Sequence, residues 1–214
     1  MSSPLFERLA AIRVVPVVVL DDAAEAEPLA DALVAGGLPC AEVTFRTPAA
    51  EAAIRAIADR TDILVGAGTI VTADQVDLAV AAGARFLVSP GLCLDVVRRA
   101  QELGIPVLPG IATASEAQAA VRAGLRDVKF FPAELSGGLG MLRALAGPFP
   151  DLKFLPSGGV NLANVANYLG HPSVFAVGGS WMVPRERIQA GDFDAVRRFT
   201  AQTVARLDRS ASHE

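Results

Sequence analysis

Short apolar runs, each followed by a longer segment with helical spacing, recur from one end of this chain to the other. The runs are Val14 to Leu20, Cys40 to Phe45, Ile63 to Val65, Phe86 to Val88, Pro106 to Leu108, Val128 to Phe131, Leu152 to Leu155 and Val174 to Val177. Strands covered on both faces read as continuous apolar runs, and strands alternating with helices predict a parallel sheet. About eight such units close a (β/α)8 TIM barrel, a fold of roughly 200–250 residues. The 214 residues therefore predict one α/β domain of this kind. The first helix is expected from about Ala23 to Ala35, stopped by Gly36-Gly37. The second opens near Thr47-Pro48, another follows Thr72, and the last spans about Phe193 to Leu207. An open doubly wound sheet would carry glycines in its first strand-to-helix turn, where this chain has Asp21-Asp22-Ala23-Ala24. No stretch reads as a linker, and only Ser210 to Glu214 is expected to fray.

Composition narrows the partners. The formal net charge is −4 with no basic cluster, which argues against nucleic acid. Two cysteines, Cys40 and Cys93, make no disulfide framework and are expected to be small buried hydrophobes. No secretory pattern opens the sequence and no apolar run approaches a membrane helix, so the expected location is the cytoplasm. His171 and His213 are far apart, and no metal site is expected.

The chemistry of such barrels sits at the carboxyl ends of the strands, and the unusual residues fall there. Glu42 lies between Ala41 and Val43 inside the second run, and Thr44 and Arg46 share its parity. A strand buried on both faces seldom carries Glu and Arg without a use or a partner. A structural alternative is a Glu42–Arg46 or Glu42–Lys129 ion pair that only fills the barrel. Lys129 sits in Asp127-Val128-Lys129-Phe130-Phe131-Pro132. Apolar surroundings disfavour an ammonium, and a neutral amine attacks carbonyls. The alternative is a lysine whose stem packs while its head reaches solvent. Gly66-Ala67-Gly68-Thr69, Ser89-Pro90-Gly91 and Pro109-Gly110 close the third to fifth runs. Glycines there allow a ligand close to the backbone, or are ordinary turns. The last two runs end in Pro156-Ser157-Gly158-Gly159 and Gly178-Gly179-Ser180. Phosphate often sits in these two loops, near helix N-termini; tight turns are again the alternative. Trp181 is read as packing.

These blocks, in this order, resemble the 2-keto-3-deoxy-6-phosphogluconate / 4-hydroxy-2-oxoglutarate aldolase family. The carriers are Glu42-Val43-Thr44-Phe45-Arg46-Thr47, Gly66-Ala67-Gly68-Thr69, Ser89-Pro90-Gly91, Lys129-Phe130-Phe131-Pro132-Ala133, Pro156-Ser157-Gly158-Gly159 and Gly178-Gly179-Ser180-Trp181. The resemblance runs from about Val14 to about Arg198. It implies a class I aldolase that needs no metal or cofactor, on a (β/α)8 barrel, usually as a homotrimer, acting on a 2-keto-3-deoxy sugar acid. It also implies that Lys129 forms the Schiff base and Glu42 is the general acid/base. Arg46 and Thr69 would hold the substrate carboxylate, and Pro90 and Phe131 would shape the pyruvyl pocket. Ser157, Gly158, Gly159, Gly179 and Ser180 would hold phosphate. Ser157 departs from the family's frequent Thr but keeps the hydroxyl.

Three rivals stand beside this reading. An aldolase for 4-hydroxy-2-oxoglutarate or for the galactonate series differs only in the aldehyde half; Arg46 argues against the galactonate branch. An isomerase or epimerase on the same barrel would share phosphate loops but needs no iminium-forming lysine. A non-catalytic trimeric scaffold need not keep both Lys129 and Glu42.

Overall fold

A computed structural model describes residues 4–211. Its strands are β1 (Val14–Val18), β2 (Cys40–Thr44), β3 (Leu64–Gly68), β4 (Leu87–Val88), β5 (Val107–Leu108), β6 (Gly110–Ile111), β7 (Asp127–Phe130), β8 (Lys153–Pro156) and β9 (Val177–Gly179). All pairings are parallel. They form a six-stranded sheet in the order β5-β4-β3-β2-β1-β9 and a three-stranded sheet β6-β7-β8, rather than the one continuous eight-stranded sheet expected from the sequence. The fifth apolar run forms β5, and beyond Pro109, which has no N–H to give to the ladder, the chain adds the short β6. Isolated bridges Phe154↔Val174 and Ser157↔Gly178 couple β8 to the segment of β9.

The helices sit close to their expected places, and two of them are capped by threonines. Thr72 caps the helix Ala73–Ala81 by accepting from Gln75 N–H. Thr113 and Glu116 form a reciprocal capping box on Ala114–Arg122. The segment after Asp22 starts as a 3-10 turn, Ala23–Glu25, and continues as Ala26–Gly36, ended by Gly37 at φ 92°. Pro48 does not start a helix: the segment opens as a turn, and the helix runs Ala50–Ile57. The last helix extends through Ala211, past the onset of the expected fraying; residues 212–214, with His213, lie outside the described residues. No described helix is long and apolar enough to cross a membrane.

Strand parity sorts the apolar side chains into two layers. Ala41, Val43, Val65, Ala67 and Val128 join the larger cluster, which packs strands against helices. Val15, Cys40, Leu64, Phe86, Val88, Leu108 and Leu155 form a second cluster with Phe6 and Leu9. The two latter residues come from the helix Pro4–Ile12, which the strand-centred reading of the sequence missed. Its signals were present: Pro at the first helical position and apolar residues at Leu5, Leu9 and Ile12. This helix covers the amino ends of the strands and turns the inner cluster into a floor. Cys40 belongs to that floor, and burial pushes its thiol well above the usual range. Cys93 is only half-buried.

Candidate active site

Glu42 and Thr44 share the inner face of β2 with Cys40, but lie nearer the carboxyl end. Register places Glu42 beside Val17 and Gly66, and Lys129 beside Gly110 and Leu155. Above the apolar floor, the interior therefore becomes polar. The side chains of Glu42 and Lys129 are 1% and 7% exposed. Nζ of Lys129 lies 3.2 Å from Oε1 of Glu42 and 5.2 Å from the centre of the Phe131 ring. Lys129 does not extend its head into solvent, so of the structural alternatives the Glu42–Lys129 pair is the one that forms.

The pair leaves one oxygen over. Glu42 Oε2 is buried and has no hydrogen-bond partner among the described residues. An unmet carboxylate oxygen is costly in a fold's interior and serves as a waiting acceptor when it faces a cavity. Glu42 does face one, of about 440 Å³. Its lining includes all eleven residues singled out from the sequence: Glu42, Arg46, Thr69, Pro90, Lys129, Phe131, Ser157, Gly158, Gly159, Gly179 and Ser180. Val17, Thr44 and Val160 line it as well. Thr44 was noted for its parity alone; its hydroxyl donates to Val18 O at 2.8 Å, tying the ends of β1 and β2.

Several expectations are corrected in detail. Arg46 is not inside the strand, because β2 ends at Thr44; it is exposed at the rim, without an ion-pair partner among the described residues. Gly66 and Gly68 are not openings for a ligand. A Cβ on Gly66 would meet the Phe86 ring at 2.4 Å, and one on Gly68 would meet Glu42 Oε1 at 2.3 Å. Gly68 is therefore the space into which the Glu42 carboxylate fits. Gly68→Ala should displace that carboxylate and, with Glu42 in the acid/base role that the resemblance implies, lower kcat on the order of 10²-fold, the cost of moving such a group from its working position. Steady-state kinetics with an unchanged thermal midpoint would isolate the effect; near-normal kcat would mean that Glu42 tolerates the shift. Thr69, directly after β3, holds φ at 58°, a left-handed value that a β-branched residue rarely adopts. Strain of this kind tends to mark functional positions.

The two glycine turns differ from expectation in one respect. No helix begins at either: the next ones are Val165–Leu169 and Arg185–Gln189, each of five residues. The backbone of the first turn is instead held by hydrogen bonds. Ala133 N–H donates to Ser157 O at 2.7 Å and Glu134 N–H to Gly158 O at 3.0 Å. Gly159 O accepts from the side-chain amides of Asn161 and Asn164, at 3.1 and 3.2 Å. Gly158 and Gly159 have φ of 90° and 85°, open to glycine without strain. In the second turn, Trp181 packs on the backbone of Gly179, and its ring N–H donates to Thr203 Oγ1 at 3.0 Å. Among the described residues no group of three or more His, Cys, Asp or Glu could hold a metal ion. His171 is half-buried outside the cavity, and desolvation, then Arg143 and Lys153, lower its pKa.

A buried lysine amine, a carboxylate against it with one oxygen unmet, and a cavity around both define a site suited to carbonyl chemistry through an imine. Comparison with known proteins gives the particular family. A family model for KDPG and KHG aldolase matches residues 5–199. The chain is 50% identical over 201 residues, 94% of it and 96% of the relative, to the 2-dehydro-3-deoxy-phosphogluconate aldolase of Treponema pallidum. Among solved structures, a KDPG aldolase from Legionella pneumophila superposes with a TM-score of 0.89 at 41% identity, over 92% of this chain and 97% of that one. It holds pyruvate captured at low pH as a covalent carbinolamine intermediate. The 2-keto-3-deoxy-6-phosphogluconate aldolase of Zymomonas mobilis ZM4, with 3-phosphoglycerate, gives 0.87 at 41% identity, over 93% of each chain. The chain belongs to the KDPG and KHG aldolase family.

Proposed function

We propose that this protein is a class I aldolase that cleaves 2-keto-3-deoxy-6-phosphogluconate to pyruvate and glyceraldehyde 3-phosphate. By the same chemistry it splits 4-hydroxy-2-oxoglutarate to pyruvate and glyoxylate. The observation that carries the reading is the buried Lys129–Glu42 pair with its unmet oxygen, at the base of a cavity. Lys129 gives a proton to the adjacent carboxylate and attacks the C2 ketone; Glu42 returns that proton to the carbinolamine hydroxyl, which leaves as water, so that an iminium and a free carboxylate remain. Glu42 then accepts the proton of the C4 hydroxyl, the C3–C4 electron pair flows into the iminium, and the aldehyde departs. The enamine that remains takes a proton at C3, and water releases pyruvate and restores the amine. The same group acts as base and then as acid, as a reversible proton transfer requires. Arg46 and Thr69 receive the carboxylate, and Pro90 and Phe131 bound the pyruvyl part.

Phosphate falls to Ser157, Gly158, Gly159, Gly179 and Ser180, with no Lys or Arg in either turn. A trans peptide points its N–H opposite its C=O. With Gly158 O held by Glu134 and Gly159 O by two asparagines, the N–H groups of Gly159 and Val160 face the other way. That gives an anion site built from backbone and hydroxyl groups. The parallel pairings, the short break at Pro109 and the bridges from β8 towards β9 support a closed (β/α)8 ring in a single domain. A cytoplasmic homotrimer is the assembly and setting in keeping with the family resemblance.

Pyruvate release from both substrates, measured before and after exhaustive EDTA treatment, tests the reading. Both should be cleaved, and activity should persist after chelation because the iminium is the electron sink. Loss on chelation with recovery on adding a divalent ion would assign the electron sink to a metal instead. Absence of pyruvate from either substrate would remove the assignment altogether.

A further inference from the structure

We propose that Asn161 and Asn164 are positioning residues for the substrate's phosphate, acting through the Gly159–Val160 peptide. The proposal rests on the phosphate reading of the two glycine turns. A carbonyl oxygen has two lone pairs, and at Gly159 two side-chain amides occupy them, Asn161 Nδ2 at 3.1 Å and Asn164 Nδ2 at 3.2 Å. Both amides are fixed at their other ends. Asn161 Oδ1 accepts from Ala163 N–H at 2.9 Å, and Asn164 Oδ1 accepts from Asn161 N–H at 2.8 Å. Each oxygen is thus committed to a backbone donor, so each nitrogen is turned towards Gly159. The result is a local network of four hydrogen bonds, two of which meet on one carbonyl.

The carbonyl matters because of its neighbours. Gly159 has φ of 85°, and with no side chain to restrict it a glycine peptide can rotate more freely than others. A rotated Gly159–Val160 peptide would present a carbonyl oxygen where an N–H is needed, replacing attraction to an anion with repulsion. On the opposite flank, Glu134 packs against Gly159: a Cβ there would lie 2.5 Å from Glu134 Cγ. The Glu134 carboxylate is turned from the turn by its hydrogen bond from the buried Tyr168 hydroxyl. The two asparagines hold the peptide from one side while the Glu134 stem limits it on the other. Neither turn carries a Lys or Arg, so what the turns themselves offer a phosphate is oriented dipoles, and the orientation of these dipoles sets that share of the affinity.

The test compares the double variant Asn161→Ala/Asn164→Ala with wild type on three measurements. These are KM and kcat for 2-keto-3-deoxy-6-phosphogluconate, the same for unphosphorylated 4-hydroxy-2-oxoglutarate, and competitive inhibition by inorganic phosphate. A hydrogen bond to a charged group typically governs about a tenfold change in affinity or more. KM for the phosphorylated substrate should rise about tenfold and phosphate inhibition weaken in parallel. Cleavage of 4-hydroxy-2-oxoglutarate should change less than about twofold, since none of those bonds involves Lys129 or Glu42. The single variant Asn161→Ala, at the exposed member of the pair, should shift KM in the same direction by a smaller factor, and it carries the test if the double variant does not fold. An unchanged KM in the variant that folds, or an equal loss on both substrates, would overturn the proposal. Failure of the phosphate reading is distinguishable in wild type alone: no preference for the phosphorylated substrate and no inhibition by phosphate.

Discussion

Borohydride added to the protein with pyruvate should stop activity and leave one reduced pyruvyl group on Lys129. The amine is held in a nearly closed interior, 7% exposed, with a proton acceptor 3.2 Å away. An imine formed there is a trappable electrophile, and hydride fixes it as a secondary amine. Peptide mapping should find the adduct on Lys129 and not on the half-buried Lys153, whose Nζ donates to Pro172 O on another part of the molecule. Lys129→Ala should lose cleavage entirely and accept no label. That variant also strands Glu42, leaving a buried carboxylate without its ion partner. Breaking a buried pair by removing one member typically costs about 3–5 kcal/mol, so a lower thermal midpoint should accompany the loss. Retained cleavage in Lys129→Ala, or label on Lys153 alone, would end the Schiff-base mechanism here.

The second large effect is expected at Glu42. Glu42→Gln keeps the volume and one oxygen near Lys129 but cannot take a proton. Turnover should fall roughly 10²–10⁴-fold, the usual contribution of a positioned acid/base, which corresponds to about 3–5 kcal/mol of barrier. Trapping of pyruvate on Lys129 should persist, though more slowly, because the amine remains while its nearest proton acceptor is gone. The separation of the two readouts is the informative result. Near-normal cleavage in Glu42→Gln would remove this residue from the mechanism, whereas loss of trapping and cleavage together would mean that it serves only to seat the lysine.

The chain's organisation was legible because its period is long and repeated: each apolar run found its strand to within a few residues, and Thr72 announced its helix. The site was legible because charged and polar residues within continuous apolar runs are expensive to bury, which drew attention to Glu42 and Lys129 before any contact was known. What escaped was whatever depends on a partner distant in sequence. Gly68 reads as a permissive turn residue until Glu42, twenty-six positions earlier, fills its space. Nothing local marks Asn161 and Asn164 as tied to one carbonyl. The helix Pro4–Ile12 carried an amphipathic pattern, but only a floor of inner residues gives that pattern a purpose. Arg46 was misplaced because strand parity was carried past the end of β2, where alternation no longer holds.

That floor has a kinetic consequence. With Phe6 and Leu9 sealing one end against Val15, Leu64, Phe86 and Leu155, the interior is a blind well with the Lys129 amine near the base and the glycine turns towards the opening. A long substrate must enter keto end first, and nothing bound at the base can leave past an occupied rim. On the proposed assignment of Lys129 and the glycine turns, the fragment carrying the phosphate should depart before the three-carbon acid, and in the synthetic direction the acid should be loaded before the aldehyde. Product-inhibition patterns should report a strictly ordered sequence dictated by a plug on the far side of the molecule from the chemistry.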